Sequence, residues 1–307
     1  MPGLTQALFL IVYIKMNVLV TGANGQLGTM FKKFAEGKVN NFTPFFTNRE
    51  ELDIRDLDAI NRFVDDNNIE LILNCAAYTN VDNAESDPKT ATDINAKACY
   101  NLASSMKRVN GYLISISTDY VFDGRSNKPY EEFDLCMPKN VYGMSKLAGE
   151  ALILTSGCHY IILRTAWLYS SVGKNFVKTM FNKMKNNTNK ETIKVVCDQI
   201  GCPTSAYDLA IFIYNIINNK RYINKDGIYH FVNKGETTWY NLTCEIARLI
   251  DYKGEIVSCN SDEYPTQAKR PNYSVLCCDK LASTFGYYIR HWTIALKDTV
   301  NELLNEE

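Results

Sequence analysis

The sequence predicts an α/β protein: a doubly wound parallel sheet carrying a smaller, loop-rich lobe. Two observations predict it. From Met16 onward, short apolar runs rich in Val, Ile and Leu alternate with amphipathic stretches of helical period, the pattern of successive βαβ units whose strands are buried on both faces. The first of these runs, residues 17–21, passes directly into a glycine-rich turn and then a helical stretch.

The elements follow in order. Residues 70–74, 112–116 and 160–164 are further apolar strand candidates, and residues 42–47 supply a second strand that Pro44 demotes to an edge or an irregular segment, because proline has no N–H to donate to a ladder. Asp56 is a natural N-cap for a helix over 57–67, where Ile60, Phe63 and Val64 keep helical spacing. A longer helix is expected around 90–108, after Pro88. Beyond residue 165 the alternation loosens. Helices are expected over 208–218, 239–250 and 291–304, separated by polar loops such as 183–190 and the proline-bearing 262–274.

At about 150 residues per domain, 307 residues suggest roughly two units. We expect residues 1–15 to be an extension outside the fold. A dinucleotide-binding domain would take 16–165 plus about 206–232, with a strand near 227–232, and a substrate-binding lobe would be assembled from about 166–205 plus 233–307. The extension contains an apolar run over 8–14. It is too short to span a bilayer, which needs about 20 residues. A membrane tether or an oligomerising strand is the alternative reading.

Charge narrows the classes of function. Lys and Arg number 33 against 34 Asp and Glu, a net charge of −1, so no general attraction to nucleic acid or an anionic membrane is expected. Apolar content of 46% with 22% charged residues excludes a disordered tail. Ten cysteines form no Cys-x-x-Cys pair, and three histidines, His159, His230 and His291, stand far apart. A disulfide framework and a zinc site are both disfavoured, and a reducing, cytoplasmic setting is expected.

The turn reads TGANGQLG (21–28), with Gly22, Gly25 and Gly28 spaced three apart. Glycines here permit a tight turn, close approach of backbone to a pyrophosphate and close helix–strand packing, while the helix N-terminus offers N–H groups and a positive dipole. This makes the sheet Rossmann-like and the ligand a dinucleotide. Where an acid would grip a ribose hydroxyl, the chain has Asn48 followed by Arg49. Asn48 lacks the charge that repels a 2′-phosphate and Arg49 could pair with one, so NADPH is expected ahead of NADH, with a solvated surface arginine as the alternative. Asp53 and Ile54 follow where an adenine contact is expected.

Tyr142 and Lys146 lie four apart at an expected helix start, on one face, where the ammonium can sit near the phenol and favour its ionised form. The run 115–119 ends a strand with hydroxyls that can bond a substrate carbonyl. A lone Tyr-x-x-x-Lys is common in helices. Following the glycine turn and a strand-end hydroxyl in this order, it points to hydride transfer.

These residues resemble the extended short-chain dehydrogenase/reductases, and among them the dTDP-4-dehydrorhamnose reductase family. The similarity runs through TGANGQLG (21–28), NCAAYTNVDNAE (74–85), STDYVFDG (117–124), YGMSKLAGE (142–150), LRTAWLY (163–169), DQIGCPT (198–204) and AKRPNYS (268–274). The resemblance implies an oxidoreductase that reduces the C4 ketone of dTDP-4-dehydro-β-L-rhamnose with NAD(P)H, for cell-surface polysaccharide. It implies Thr118, Tyr142 and Lys146 as catalytic residues. Gly22, Gly25, Gln26, Leu27 and Gly28 would form the pyrophosphate turn, and Ala76, Ala77 and Tyr78 the stretch beside the cofactor. Thr118, Asp119, Tyr120, Trp167 and Arg270 would contact the sugar nucleotide, although a salt-bridged structural role suits Arg270 equally. The implied partner is a small nucleotide sugar, with a homodimer common in the family. Some members use Mg²⁺ at a subunit contact, and no carboxylate cluster in this sequence predicts one. Two other functions share these motifs: a nucleotide-sugar epimerase or dehydratase, and a non-catalytic regulatory subunit resembling the β subunit of methionine adenosyltransferase.

Overall fold

The computed structural model describes residues 15–188 and 191–305. The expectations for 1–14 lie outside the described residues. Five strands, β1 (Met16–Thr21), β2 (Phe42–Thr47), β3 (Ile69–Asn74), β4 (Tyr112–Thr118) and β5 (His159–Thr165), join the strand Gly227–His230 in one parallel sheet. The order across the sheet is Gly227–His230, β5, β4, β3, β1, β2. After β1 the chain crosses to β2 on one side and returns to β3 on the other, so the crevice outside the carboxyl ends of β1 and β3 is the topological switch point where ligands bind in such sheets.

β2 is the edge strand, and its Pro44 pairs with Val18 only. The missing N–H therefore faces no second neighbour. One face of the sheet is packed by α1 (Gln26–Ala35) and the helix Ala206–Asn218, with Val18, Val20, Leu71, Leu73, Phe31 and Phe212 fully buried between them. On the other face α2 (Leu57–Asp66) and α5 (Ala98–Arg108) cover Leu19, Ile72 and Leu113. The Asp56 carboxylate caps α2 by accepting from the Ala59 N–H at 3.0 Å.

The single helix expected over 90–108 is a correction. After α3 (Val81–Ser86), the chain forms α4 (Pro88–Thr92), a wide π turn over Asp93–Lys97, and only then α5. The wide turn pushes the Asn95 carbonyl against α6 (Val141–Ser156), where Gly149 receives it: a Cβ on Gly149 would lie 2.1 Å from that oxygen. Single π turns within helices frequently mark functional positions.

The remaining segments build a second hydrophobic cluster, in which Tyr169, Val177, Phe181 and Ile193 meet Leu242, Ile246, Trp292 and Leu296. Short pairings stitch it together, Ile193–Val196 with Ile256–Cys259 and Ile200–Gly201 with Thr237–Thr238. All ten cysteines are free thiols. No helix of the described residues is long and apolar enough to cross a membrane.

Candidate active site

Strand register places the chemistry. Thr21, Thr47 and Asn74 end β1, β2 and β3 at one level, and β4 and β5 continue three residues further to the pair Thr118–Thr165. The Thr21 hydroxyl donates to Asn74 Oδ1 at 2.8 Å, locking the strands that flank the switch point. Above them the turn closes with the Gly25 N–H donating to the Gly22 carbonyl at 2.9 Å. Gly22 sits at φ +64° and Gly28 packs against Ala23, where a Cβ would come within 2.6 Å of its Cα. Leu27 is buried in the core, so only its backbone can serve a ligand. The Gln26 side chain is held by the Ser170 hydroxyl, which donates to its Oε1 at 3.0 Å.

The crevice is a cavity of about 430 Å³ lined by Gly22, Gly25, Asn48, Arg49, Asp53, Ile54, Ala76, Ala77 and Tyr78. Segments more than fifty residues apart in sequence thus face one space, the glycine turn and the Arg49 guanidinium among them. These residues fit a dinucleotide. The Asn48 side chain is occupied in its own turn, where Oδ1 accepts the N–H groups of Glu50 and Glu51. Asp53 forks onto Arg55, which holds its carboxyl down at about 2. Among the described residues no group of three or more His, Cys, Asp or Glu could hold a metal ion.

Next to the crevice, Tyr142 opens α6 close to Thr118 at the tip of β4. Burial pushes the Tyr142 phenol above its ordinary range, and the nearby Thr118 hydroxyl opposes that shift in part. Lys146 is buried and donates to the Ile116 carbonyl at 2.6 Å, on the β4 backbone. Burial pulls the Lys146 ammonium below its ordinary value.

Asp119 is 2% exposed and accepts from the Thr118 hydroxyl at 3.0 Å. Its Oδ2 is buried without a hydrogen-bond partner among the described residues. Burial raises its carboxyl from 3.8 to about 7. A carboxyl raised by folding stabilises the native state fully below its unfolded value and progressively less as pH climbs to the folded one. The wild type is therefore expected to lose about 2–3 kcal/mol between about pH 5 and about pH 8 from this group, and Asp119→Asn to lose none of it. Urea unfolding of both proteins at the two pH values measures the difference; equal slopes would discount the shift.

Tyr120 packs edge-on against Tyr142, with ring centroids 5.8 Å apart. Arg270 pairs with Asp82 at 2.7 Å and reaches the Tyr120 hydroxyl at 3.5 Å. Trp167 adopts φ +48° and stacks on Trp239, centroids 3.5 Å apart. Sequence reasoning missed Asn95, a buried residue on the π turn. It accepts the Tyr78 N–H at 2.9 Å and donates to the Tyr78 carbonyl and the Ser145 hydroxyl, clamping the cavity wall to α6. An asparagine at an apolar position of a helical stretch was the available signal.

Comparison with known proteins agrees with this geometry. The family described as RmlD substrate binding domain matches residues 16–305. A dTDP-4-dehydrorhamnose reductase of Burkholderia thailandensis is 34% identical over 304 residues, covering 95% of this chain and 100% of that protein. Its Escherichia coli counterpart is 35% identical over 94% of this chain and 98% of its own. The solved dTDP-4-dehydrorhamnose reductase of Clostridium acetobutylicum superposes with a TM-score of 0.88 at 40% identity, over 94% of this chain and 100% of that one. That of Bacillus anthracis, solved in complex with NADP, does so at 0.87 and 34%, with the same coverage. On a family match spanning nearly every described residue, and on relatives this similar over their whole lengths, the chain belongs to the dTDP-4-dehydrorhamnose reductase family.

Proposed function

We propose that the protein reduces the C4 ketone of dTDP-4-dehydro-β-L-rhamnose to dTDP-β-L-rhamnose with NADPH, NADH serving less well. The observation that carries the reading is the placement of Thr118 at the tip of β4 and of Tyr142, packed edge-on to Tyr120, at the start of α6, beside the glycine-lined crevice. The cofactor, when bound, supplies hydride to C4. The chain supplies what the developing alkoxide at O4 needs: a proton from Tyr142, and a hydrogen bond from Thr118 once its hydroxyl turns from Asp119 to O4. Burial keeps the phenol protonated, which suits a donor in the reductive direction. Lys146 offers its remaining N–H groups to the nicotinamide ribose. The unpartnered Asp119 oxygen accepts a sugar hydroxyl, and Tyr120 and Trp167 flank the ring. Arg270 is already paired with Asp82, so it reads as a support for Tyr120 and as at most a partial counter-charge for the diphosphate.

A coupled assay that generates the 4-keto sugar in place tests this: the expected result is stoichiometric loss of NADPH absorbance and formation of dTDP-rhamnose. No turnover, with the keto sugar present and the protein folded, would reject it. The cofactor preference has its own test, since Arg49 lines the crevice beside Asn48. Arg49→Ala is expected to raise KM for NADPH by about tenfold while leaving NADH nearly unchanged, the loss of one charge-assisted bond to the 2′-phosphate. A wild type that strongly prefers NADH would remove Arg49 from cofactor recognition.

A further inference from the structure

Helix α6 carries Tyr142, Lys146 and Glu150 at intervals of four, hence along one face. Glu150 is 4% exposed. It accepts the Ser117 hydroxyl at 2.5 Å and Arg164 through both Nε (3.0 Å) and Nη2 (2.7 Å). Arg164 is itself buried on β5, directly across from Ser117 in the β4–β5 register. One carboxylate therefore ties the helix of Tyr142 and Lys146 to two strands, one residue short of Thr118 and Thr165. The other guanidinium N–H groups reach the Glu132 carbonyl at 3.4 Å and Cys136 Sγ at 3.3 Å.

Stability alone does not explain a charged pair at this depth, because well-packed apolar replacements of buried ion pairs are often at least as stable. What apolar side chains would not do is act on Lys146. The groups facing its ammonium are the Ile116 carbonyl on β4, Cys99 on α5 and Glu150 one turn along its own helix, with Arg164 of β5 beyond Glu150. Cys99, and after it Glu150, oppose the pull of burial on that ammonium.

We propose that Glu150, gripped by Arg164 and Ser117, is a positioning residue that sets the mutual heights of Thr118, Tyr142 and Lys146 and fixes one carboxylate a turn along the helix from the ammonium that meets the cofactor ribose. The inference rests on the reductase reading above. It acts through Lys146 and touches neither substrate nor cofactor.

Glu150→Gln keeps the shape and an acceptor for Ser117 while removing the charge, leaving Arg164 unbalanced near Lys146. The folded variant is expected to lose about tenfold to a hundredfold in kcat, the scale of a small misplacement of reacting groups. The alkaline limb of its activity should move to lower pH, with KM for NADPH rising along that limb. A second variant, Glu150→Leu with Arg164→Met, removes both charges and restores packing, and it carries the comparison should Glu150→Gln unfold. Its turnover should stay low and its alkaline limb stay shifted. Either variant, folded, with wild-type turnover and an unmoved alkaline limb would overturn the proposal. Binding of NADPH followed by fluorescence against pH needs no sugar, so it separates the two claims. A wild type inactive on the keto sugar rejects the reductase reading, whereas an alkaline fall in NADPH affinity that is the same in wild type and Glu150→Gln rejects this one.

Discussion

Replacing Tyr142 with phenylalanine is expected to lower kcat by roughly two to four orders of magnitude while leaving NADPH binding intact, the range for loss of a positioned proton donor. The argument is the state of its proton. Burial holds the phenol above its ordinary range and Thr118 opposes this only in part, so at neutral pH the proton sits on Tyr142 and is available when charge gathers on O4. Thr118 cannot replace it fully, because its hydroxyl already donates to Asp119 at 3.0 Å. The phenylalanine ring keeps the edge-on packing with Tyr120, so the variant removes one oxygen and little else. Single-turnover rates with bound NADPH, beside fluorescence titration of the cofactor, separate chemistry from binding. Near-wild-type turnover would take Tyr142 out of the mechanism.

The sequence placed Tyr142 and Lys146 on one helical face, and in the structure both stand on α6 with the Lys146 ammonium bonded to the β4 backbone. Spacing of four fixes the side of a helix that two residues share; it does not fix what the longer side chain reaches. Lys146 finds the Ile116 carbonyl because β4 runs on past β3 to Thr118 and leaves backbone acceptors there. Its charge is then governed by burial, Cys99 and Glu150. The alkaline limb of activity should accordingly report on Lys146, and Tyr142 should set no limb in the neutral range.

Periodicity made the strands legible, and chain order made the glycine turn legible, because both are local properties. Even the proline in β2 spoke correctly for an edge. What stayed hidden was selected by tertiary contact. Asn95 became a clamp only because a π turn, invisible as a break in apolar spacing, brought it between Tyr78 and Ser145. Nothing within its own helix marks Glu150; β5 does, by putting Arg164 beside it. Arg270 was open to two readings, and Asp82, far away in sequence, supplies its ion pair.

Gly22→Ala carries the second large expected effect, a loss of about 2–4 kcal/mol of stability together with at least a tenfold weaker NADPH complex. Two causes act at one atom. The residue lies at φ +64°, where an L side chain is strained, and its Cβ would sit 2.6 Å from the Ala76 nitrogen, 2.7 Å from its Cα and 2.8 Å from the Cys75 carbonyl carbon. All three neighbours are backbone, at the point where the chain leaving β3 crosses the turn leaving β1. Neither strand can yield easily, since Thr21 is bonded to Asn74 and the Cys75 N–H donates to the Thr21 carbonyl at 3.2 Å. Relief must come from lifting the turn or displacing residues 76–78, and both line the crevice. Gly37 supplies the control: it has φ +72°, yet a Cβ there meets nothing within 4 Å. Gly37→Ala should therefore show the backbone cost alone, about 1 kcal/mol, with cofactor affinity unchanged. Urea unfolding and NADPH titration of the two variants isolate the crossing from the strain, and equal losses in both would mean that the crossing of β1 and β3 does not shape the cofactor site.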